Sequence, residues 1–144
     1  MKCYVRKINY YETDQMKVVH HSNYFRYFEE ARTFFLEELG FPYAKLEEEQ
    51  LISPVVQISC RYKKPVLYGE TVHILVRLVK LSGVRCRFVY EVADEETGEL
   101  RAVGSSEHCF IDGTGKIVAM NRSCPEFFEA FRKEVEPYDE ESFN

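Results

Sequence analysis

Apolar and polar positions follow a helical period in one long stretch of this chain and a period of two in the stretch after it. From Asn23 to Leu39 they follow a helix: at about 100° per residue, Arg26, Glu30, Thr33 and Glu37 form a narrow polar strip. Tyr24, Phe28, Ala31, Phe35 and Leu39 centre the opposite face, and Tyr27, Phe34, Phe25 and Leu36 widen it to about half the circumference or more. Gly40 is placed to end the helix, with Pro42 two positions further on. So broad an apolar arc predicts burial by something curved, such as a sheet wrapped round the helix. Arg32 falls inside the arc and Glu29 at its border, so an Arg32–Glu29 ion pair is expected, with a substrate contact by Arg32 as the alternative.

Downstream the period becomes two. Val56, Ile58, Cys60 and Tyr62 alternate with Gln57, Ser59 and Arg61. Val72, Ile74, Val76 and Leu78 make a second apolar row, and Cys86, Phe88, Tyr90 and Val92 a third. Residues 94–99 read as a hairpin turn, 100–111 as a strand, and 112–116 as another turn before the short apolar run 117–120. A further strand opens the chain at about Lys2 to Asn9. Ser123-Cys124-Pro125-Glu126 resembles a capping box opening a second helix, with Phe127, Phe131 and Val135 on one stripe. One long helix followed by consecutive antiparallel strands is an α+β pattern. A single domain over 1–135 is expected, followed by an acidic, frayed tail at 136–144.

Composition narrows the function classes. Apolar residues are 45% of 144, and 10 Tyr with 11 Phe offset the absence of Trp, so the chain can fill a core. No apolar run is long enough to span a bilayer, and Met1-Lys2-Cys3-Tyr4-Val5-Arg6 lacks the apolar stretch of a signal peptide, so a cytoplasmic protein is expected. Cys3, Cys60, Cys86, Cys109 and Cys124 are an odd, widely spaced set without a Cys-x-x-Cys pair, which argues against disulfides and zinc. The net charge of −5 argues against nucleic acid. Yet residues 53–90 hold Arg61, Lys63, Lys64, Arg77, Lys80, Arg85 and Arg87 against Glu70 alone. Seven against one gives +6 there and leaves −11 for the rest. One basic stretch in an acidic protein suits a small polyanion, the alternative being an ordinary solvated sheet face.

Candidate chemistry concentrates between the first strand and the long helix. The run Tyr10-Tyr11-Glu12-Thr13-Asp14-Gln15-Met16-Lys17-Val18-Val19-His20-His21-Ser22-Asn23-Tyr24 sets a lone carboxylate, Asp14, in a loop before a helix start. A carboxylate can activate water or attack a carbonyl directly, while helix N-terminal N–H groups, here those of Asn23 or Tyr24, hold the developing oxyanion. Turn capping is the alternative role for Asp14, and loop hydrogen bonding for His21. His20, His21, His73 and His108 lack metal-ligand spacing, and Ser105-Ser106 lies outside any nucleophile elbow.

The same run resembles the signature of hotdog-fold acyl-CoA thioesterases of the YbgC / 4-hydroxybenzoyl-CoA type. Tyr10, Asp14 and His21 match that family's tyrosine, catalytic aspartate and histidine, and Asn23-Tyr24 its helix start. Phe28-Glu29-Glu30-Ala31-Arg32 and Tyr62-Lys63-Lys64-Pro65 match two further blocks, so the likeness covers about residues 3 to 120. It implies a hotdog fold, an antiparallel sheet of about five strands wrapped around the long helix, with the C-terminal helix added. It also implies hydrolysis of acyl-CoA to a free acid and coenzyme A by Asp14, as general base or nucleophile, with His21 and Tyr10 in support. No metal or cofactor is expected, since coenzyme A is part of the substrate. Arg61, Tyr62, Lys64, Arg85 and Arg87 are the expected substrate contacts, and the family's active sites lie between subunits of a dimer or tetramer. The alternatives are an acyl-carrier-protein thioesterase and a noncatalytic acyl-CoA-binding hotdog protein. Lys17, where many relatives have glycine, supports the latter. The histidine-glycine signature of hotdog dehydratases is not found.

Overall fold

The computed structural model describes residues 1–139 and 141. Strand β1 (Lys2–Lys7) is followed by a single 3-10 turn (Tyr10–Glu12) and helix α1 (Asn23–Leu39). A short helix α2 (Tyr43–Glu48) leads to β2 (Val55–Tyr62), β3 (Thr71–Leu81), β4 (Arg85–Asp94) and β5 (Leu100–Cys109). Helices α3 (Met120–Ser123) and α4 (Pro125–Glu134) complete the chain. The strands form one five-stranded antiparallel sheet in the order β1-β3-β4-β5-β2. This is the α+β arrangement expected, a sheet curved over one long helix.

The period-two rows explain the packing. Val72, Ile74, Val76 and Leu78 on β3, and Cys86, Phe88, Tyr90 and Val92 on β4, are all buried on the face that meets α1. From α1, Tyr27, Phe28, Ala31 and Phe35 are at most 1% exposed. Phe28 stacks on Tyr90 with ring centroids 4.3 Å apart, and Phe35 meets Phe88 edge-on at 5.4 Å. Gly104 on β5 permits that approach, because a Cβ there would lie 2.4 Å from the Phe28 ring and 2.6 Å from Ser59 O. Phe127 and Phe131 of α4 seal the far end of the core.

Several expectations change. The apolar arc is narrower than its residues suggest: Phe25 is 38% exposed and Phe34 only partly buried, its ring 5.7 Å from Tyr4. Arg32 does not pair with Glu29; it donates to the Tyr90 hydroxyl at 3.0 Å across the core. No capping box opens α4. Ser123 belongs to α3, and Cys124 takes the cap position without a side-chain hydrogen bond. The first strand stops at Lys7, and helix α2 had no signal in the apolar pattern. The tail does not come free at Glu136. Its N–H donates to Leu78 O at 2.9 Å, its carboxylate meets Arg77 and the N-terminal amine, and the Tyr138 hydroxyl donates to Glu91 at 2.9 Å. The expected fraying otherwise concerns Glu140 and residues 142–144, which lie outside the described residues.

Candidate active site

The loop from Tyr10 to Ser22 is held in place from beneath. Glu12, 3% exposed, accepts from both terminal nitrogens of Arg6, at 2.7 and 2.8 Å, and from Asn9 N–H at 2.7 Å. Arg6 also reaches Glu30 of α1 at 2.9 Å, so one guanidinium joins β1, the 3-10 turn and the helix. The buried Asn23 side chain adds a bond to Glu12 O at 2.8 Å. None of these side chains carries expected chemistry, and only the fold shows that those of Arg6, Glu12 and Asn23 anchor the loop.

Above this anchor the chain makes a tight hairpin. Thr13 faces Val19 across an isolated bridge, Asp14 N–H donates to Val18 O and Lys17 N–H to Asp14 O, both at 2.9 Å. Lys17 completes the turn in the left-handed region, φ 65°, a conformation that favours glycine. Its side chain is exposed and does not line the cleft beside it. Val19 N–H donates to Val66 O at 2.8 Å, which docks the hairpin on the β2–β3 connection.

That docking forms an open cleft of about 310 Å³, lined by Asp14 and His21 together with Tyr24, Tyr62, Lys63 and Lys64. Val18, Val19 and Pro65 add apolar surface. The Asp14 carboxylate accepts one hydrogen bond, from Met16 N–H to Oδ1 at 2.8 Å; no described residue donates to Oδ2. The His21 ring lies 4.1 Å from that of His20 and edge-on to Tyr62, whose hydroxyl donates to His21 O at 3.1 Å. His20 is turned aside by Ser22, 2.8 Å from its Nδ1. Burial, then the neighbouring Cys60, pushes Tyr24 up to about 12, and the same two causes push Tyr62 up to about 12. Both are neutral hydroxyls at neutral pH, suited to donating and not to accepting a proton. Cys60, itself pushed up to about 12 by burial, is no nucleophile.

The expected residues divide. Asp14, His21, Tyr24, Tyr62 and Lys64 come together, and Lys63, counted only in the basic stretch, joins them. The backbone N–H groups of Asn23 and Tyr24 are already engaged, donating to His20 O at 3.0 Å and His21 O at 3.3 Å. In this turn the N–H of His21 is the one with no acceptor among the described residues. Tyr10 neither bonds Asp14 nor lines the cleft: it is 76% exposed and packs edge-on against Tyr68, ring centroids 5.5 Å apart. Arg61 alternates to the face of β2 opposite Tyr62. Arg85 and Arg87 sit at the other end of the sheet. Tyr62 pairs with Ala102 and Ala102 with Val92, seven residues along β4 from Arg85, roughly 23 Å at strand rise. There Arg87 is paired with Glu107 at 3.0 Å.

Residues 8–134 match the model of the thioesterase-like superfamily. The chain is 41% identical over 117 residues to an Aquifex aeolicus protein provisionally named an esterase, covering 81% of this chain and 89% of that one. It is 34% identical over 128 residues to a Bacillus subtilis protein provisionally named an acyl-CoA thioesterase, covering 88% and 92%. Among solved structures, a DHNA-CoA thioesterase from Staphylococcus aureus superposes with a TM-score of 0.86 at 37% identity, over 91% of this chain and 88% of that one.

Proposed function

The chain belongs to the thioesterase-like superfamily, and on that premise we propose that it hydrolyses acyl-CoA thioesters to a free acid and coenzyme A. One observation carries the reading: Asp14, with one carboxylate oxygen uncommitted among the described residues, lines a cleft together with His21, whose backbone N–H has no acceptor among them. The thioester carbonyl oxygen takes the His21 N–H, so charge developing on that oxygen meets a fixed donor. Asp14 Oδ2 either removes a proton from the attacking water or adds to the carbonyl carbon to give a mixed anhydride that water then opens. Collapse of the tetrahedral intermediate expels the coenzyme A thiolate. The His21 ring stands beside the reacting atoms to orient water or protonate that thiolate.

Lys63 and Lys64 take the phosphates of coenzyme A in this reading. Both their N–H groups donate to Arg101 O, at 2.9 and 3.0 Å, which fixes the backbone that presents them. Arg85 and Arg87 lie outside the cleft of their own chain. The cleft is open, and beside it Tyr10, Tyr11, Met16, Leu67 and Tyr68 are each at least 47% exposed. A second copy paired along the β2 edge covers this surface and completes the acyl pocket, and Tyr10 then acts as pocket wall and not as a hydrogen-bond partner of Asp14. The noncatalytic alternative loses its support, since Lys17 adopts the turn geometry without entering the cleft.

The finer likeness to YbgC and 4-hydroxybenzoyl-CoA thioesterases rests on the Tyr10, Asp14 and His21 spacing, and acyl preference is what the test reads. Purified protein is incubated with short, medium, long and aromatic acyl-CoA esters, and thiol release is followed with a chromogenic disulfide. Turnover of at least one ester is expected, with Asp14→Asn lowering kcat by roughly two to four powers of ten while thermal unfolding is unchanged. Near-normal turnover in that variant would make Asp14 structural. Silence across the panel, with carrier-protein thioesters hydrolysed, would move the substrate class.

A further inference from the structure

Asn23, the first residue of α1, is buried at 7% exposed and does not line the Asp14 cleft. It nevertheless donates to both ends of the loop that carries Asp14 and His21. Its side-chain amide nitrogen donates to Glu12 O at 2.8 Å, two residues before Asp14. Its backbone N–H donates to His20 O at 3.0 Å, in the peptide unit that leads into His21. Glu12 is a fixed point, since its carboxylate accepts from both terminal nitrogens of Arg6 and from Asn9 N–H. His20 N–H donates to the same Glu12 carbonyl at 2.9 Å, so the neck of the loop closes there.

A trans peptide is planar, with its C=O and N–H opposed, so holding His20 O turns the His21 N–H to the other side. That is the N–H with no acceptor among the described residues. On the other strand of the loop, Asp14 N–H is tied to Val18 O at 2.9 Å, so the hairpin bearing the carboxylate follows its neck. One residue thus holds the peptide that presents the oxyanion donor and the chain that presents the carboxylate. Removing the side-chain amide leaves Glu12 O with His20 N–H as its remaining partner. A carbonyl that keeps one partner costs little stability, so the loss falls on alignment and not on folding.

We infer that the Asn23 side chain is a positioning residue for thioester hydrolysis: it sets the separation between the His21 N–H and the Asp14 carboxylate. The inference rests on the thioesterase reading above. Alignment of donor and carboxylate acts on kcat. Lys63 and Lys64, which take the coenzyme A phosphates in that reading, are presented through Arg101 O and do not depend on Asn23.

The test is a double-mutant cycle on the whole protein, using the acyl-CoA ester that wild type turns over fastest. Asn23→Ala should lower kcat by about ten- to a hundredfold and leave KM within about threefold, with unchanged circular dichroism. In the Asp14→Asn background the same substitution should change the residual rate by less than about threefold, because no carboxylate is left to align. If Asn23→Ala does not fold, Asn23→Ser, whose hydroxyl ends one bond short of the amide nitrogen, takes its place. Equal losses in both backgrounds would overturn the positioning role, and so would wild-type kcat in Asn23→Ala. In either case Asp14→Asn alone would still lose turnover, and the thioesterase reading would stand. Turnover that survives Asp14→Asn would instead remove the role of Asp14, and the inference with it.

Discussion

At the scale of the residue, Lys17 and Asp14 divide the labour of one hairpin. Asp14 stood out in the sequence because a histidine and a helix start follow it at the spacing of the family it resembles, and the cleft brings Asp14 and His21 to one surface. The strain at Lys17 was legible only as an oddity of residue type; its φ of 65° gives the cause. A side chain in the left-handed region costs about 1–2 kcal/mol, and glycine gives back about 0.5–1 in unfolded-state freedom. Lys17→Gly is therefore expected to stabilise the protein by up to about 1 kcal/mol in urea titrations, with kcat unchanged. The expected oxyanion donors, the N–H groups of Asn23 and Tyr24, are engaged within the turn, and that of His21 has no acceptor among the described residues. The spacing located the helix start, but whether an N–H is free depends on the turn before it, where His20 O and His21 O already accept from Asn23 and Tyr24.

At the scale of the element, strand β5 carries two demands that its sequence does not advertise. Gly104 reads as a weak point in a strand, yet it is the place where Phe28 of α1 lies against the sheet. Gly104→Ala would drive a methyl group into that ring and into Ser59 O, so a loss of at least about 2 kcal/mol is expected by chemical denaturation, or failure to fold. Four residues on, His108 is 1% exposed. Burial first, and Arg32 second, hold it near 4 against an ordinary 6.5. Below about 6.5 the unfolded chain binds this proton and the folded chain does not, so stability is full above that pH and falls as pH drops from 6.5 towards 4. The loss is on the order of 2–4 kcal/mol, and His108→Gln should flatten this part of a pH–stability profile. Helix α1 was read to its ends because its signals are local: an apolar period and Gly40 at φ 89°. Helix α2 was missed because its apolar face is short, one buried leucine, Leu46, with Tyr43 partly buried beside it.

At the scale of the whole molecule, the sheet has two edges, β1 and β2, and they are finished differently. The C-terminal segment reaches the β1 side, where Arg77 of β3 holds Glu136. On β2, Val55 and Val56 are 48% and 47% exposed on an unpaired edge. Val56→Asp should leave the fold of each chain intact, reduce a dimer or tetramer to monomer in light scattering, and lower turnover per chain at least tenfold. A monomeric wild-type protein with full activity would remove the shared-site reading. No helix among the described residues is long and apolar enough to cross a membrane. The sequence by itself determined what depends on neighbours within a few residues: the one long helix, the strand rows, the turns, and the loop that carries Asp14 and His21. Tertiary structure decided whatever needs two distant segments. It gave Arg32 to Tyr90 and not to Glu29, put Arg6 under Glu12, moved Arg85 and Arg87 out of the cleft and brought Lys63 in. The physical reason is the same in each case. Periodicity reports which face of an element is apolar, whereas a charge takes its partner from the element packed against that face, which only the closed sheet supplies.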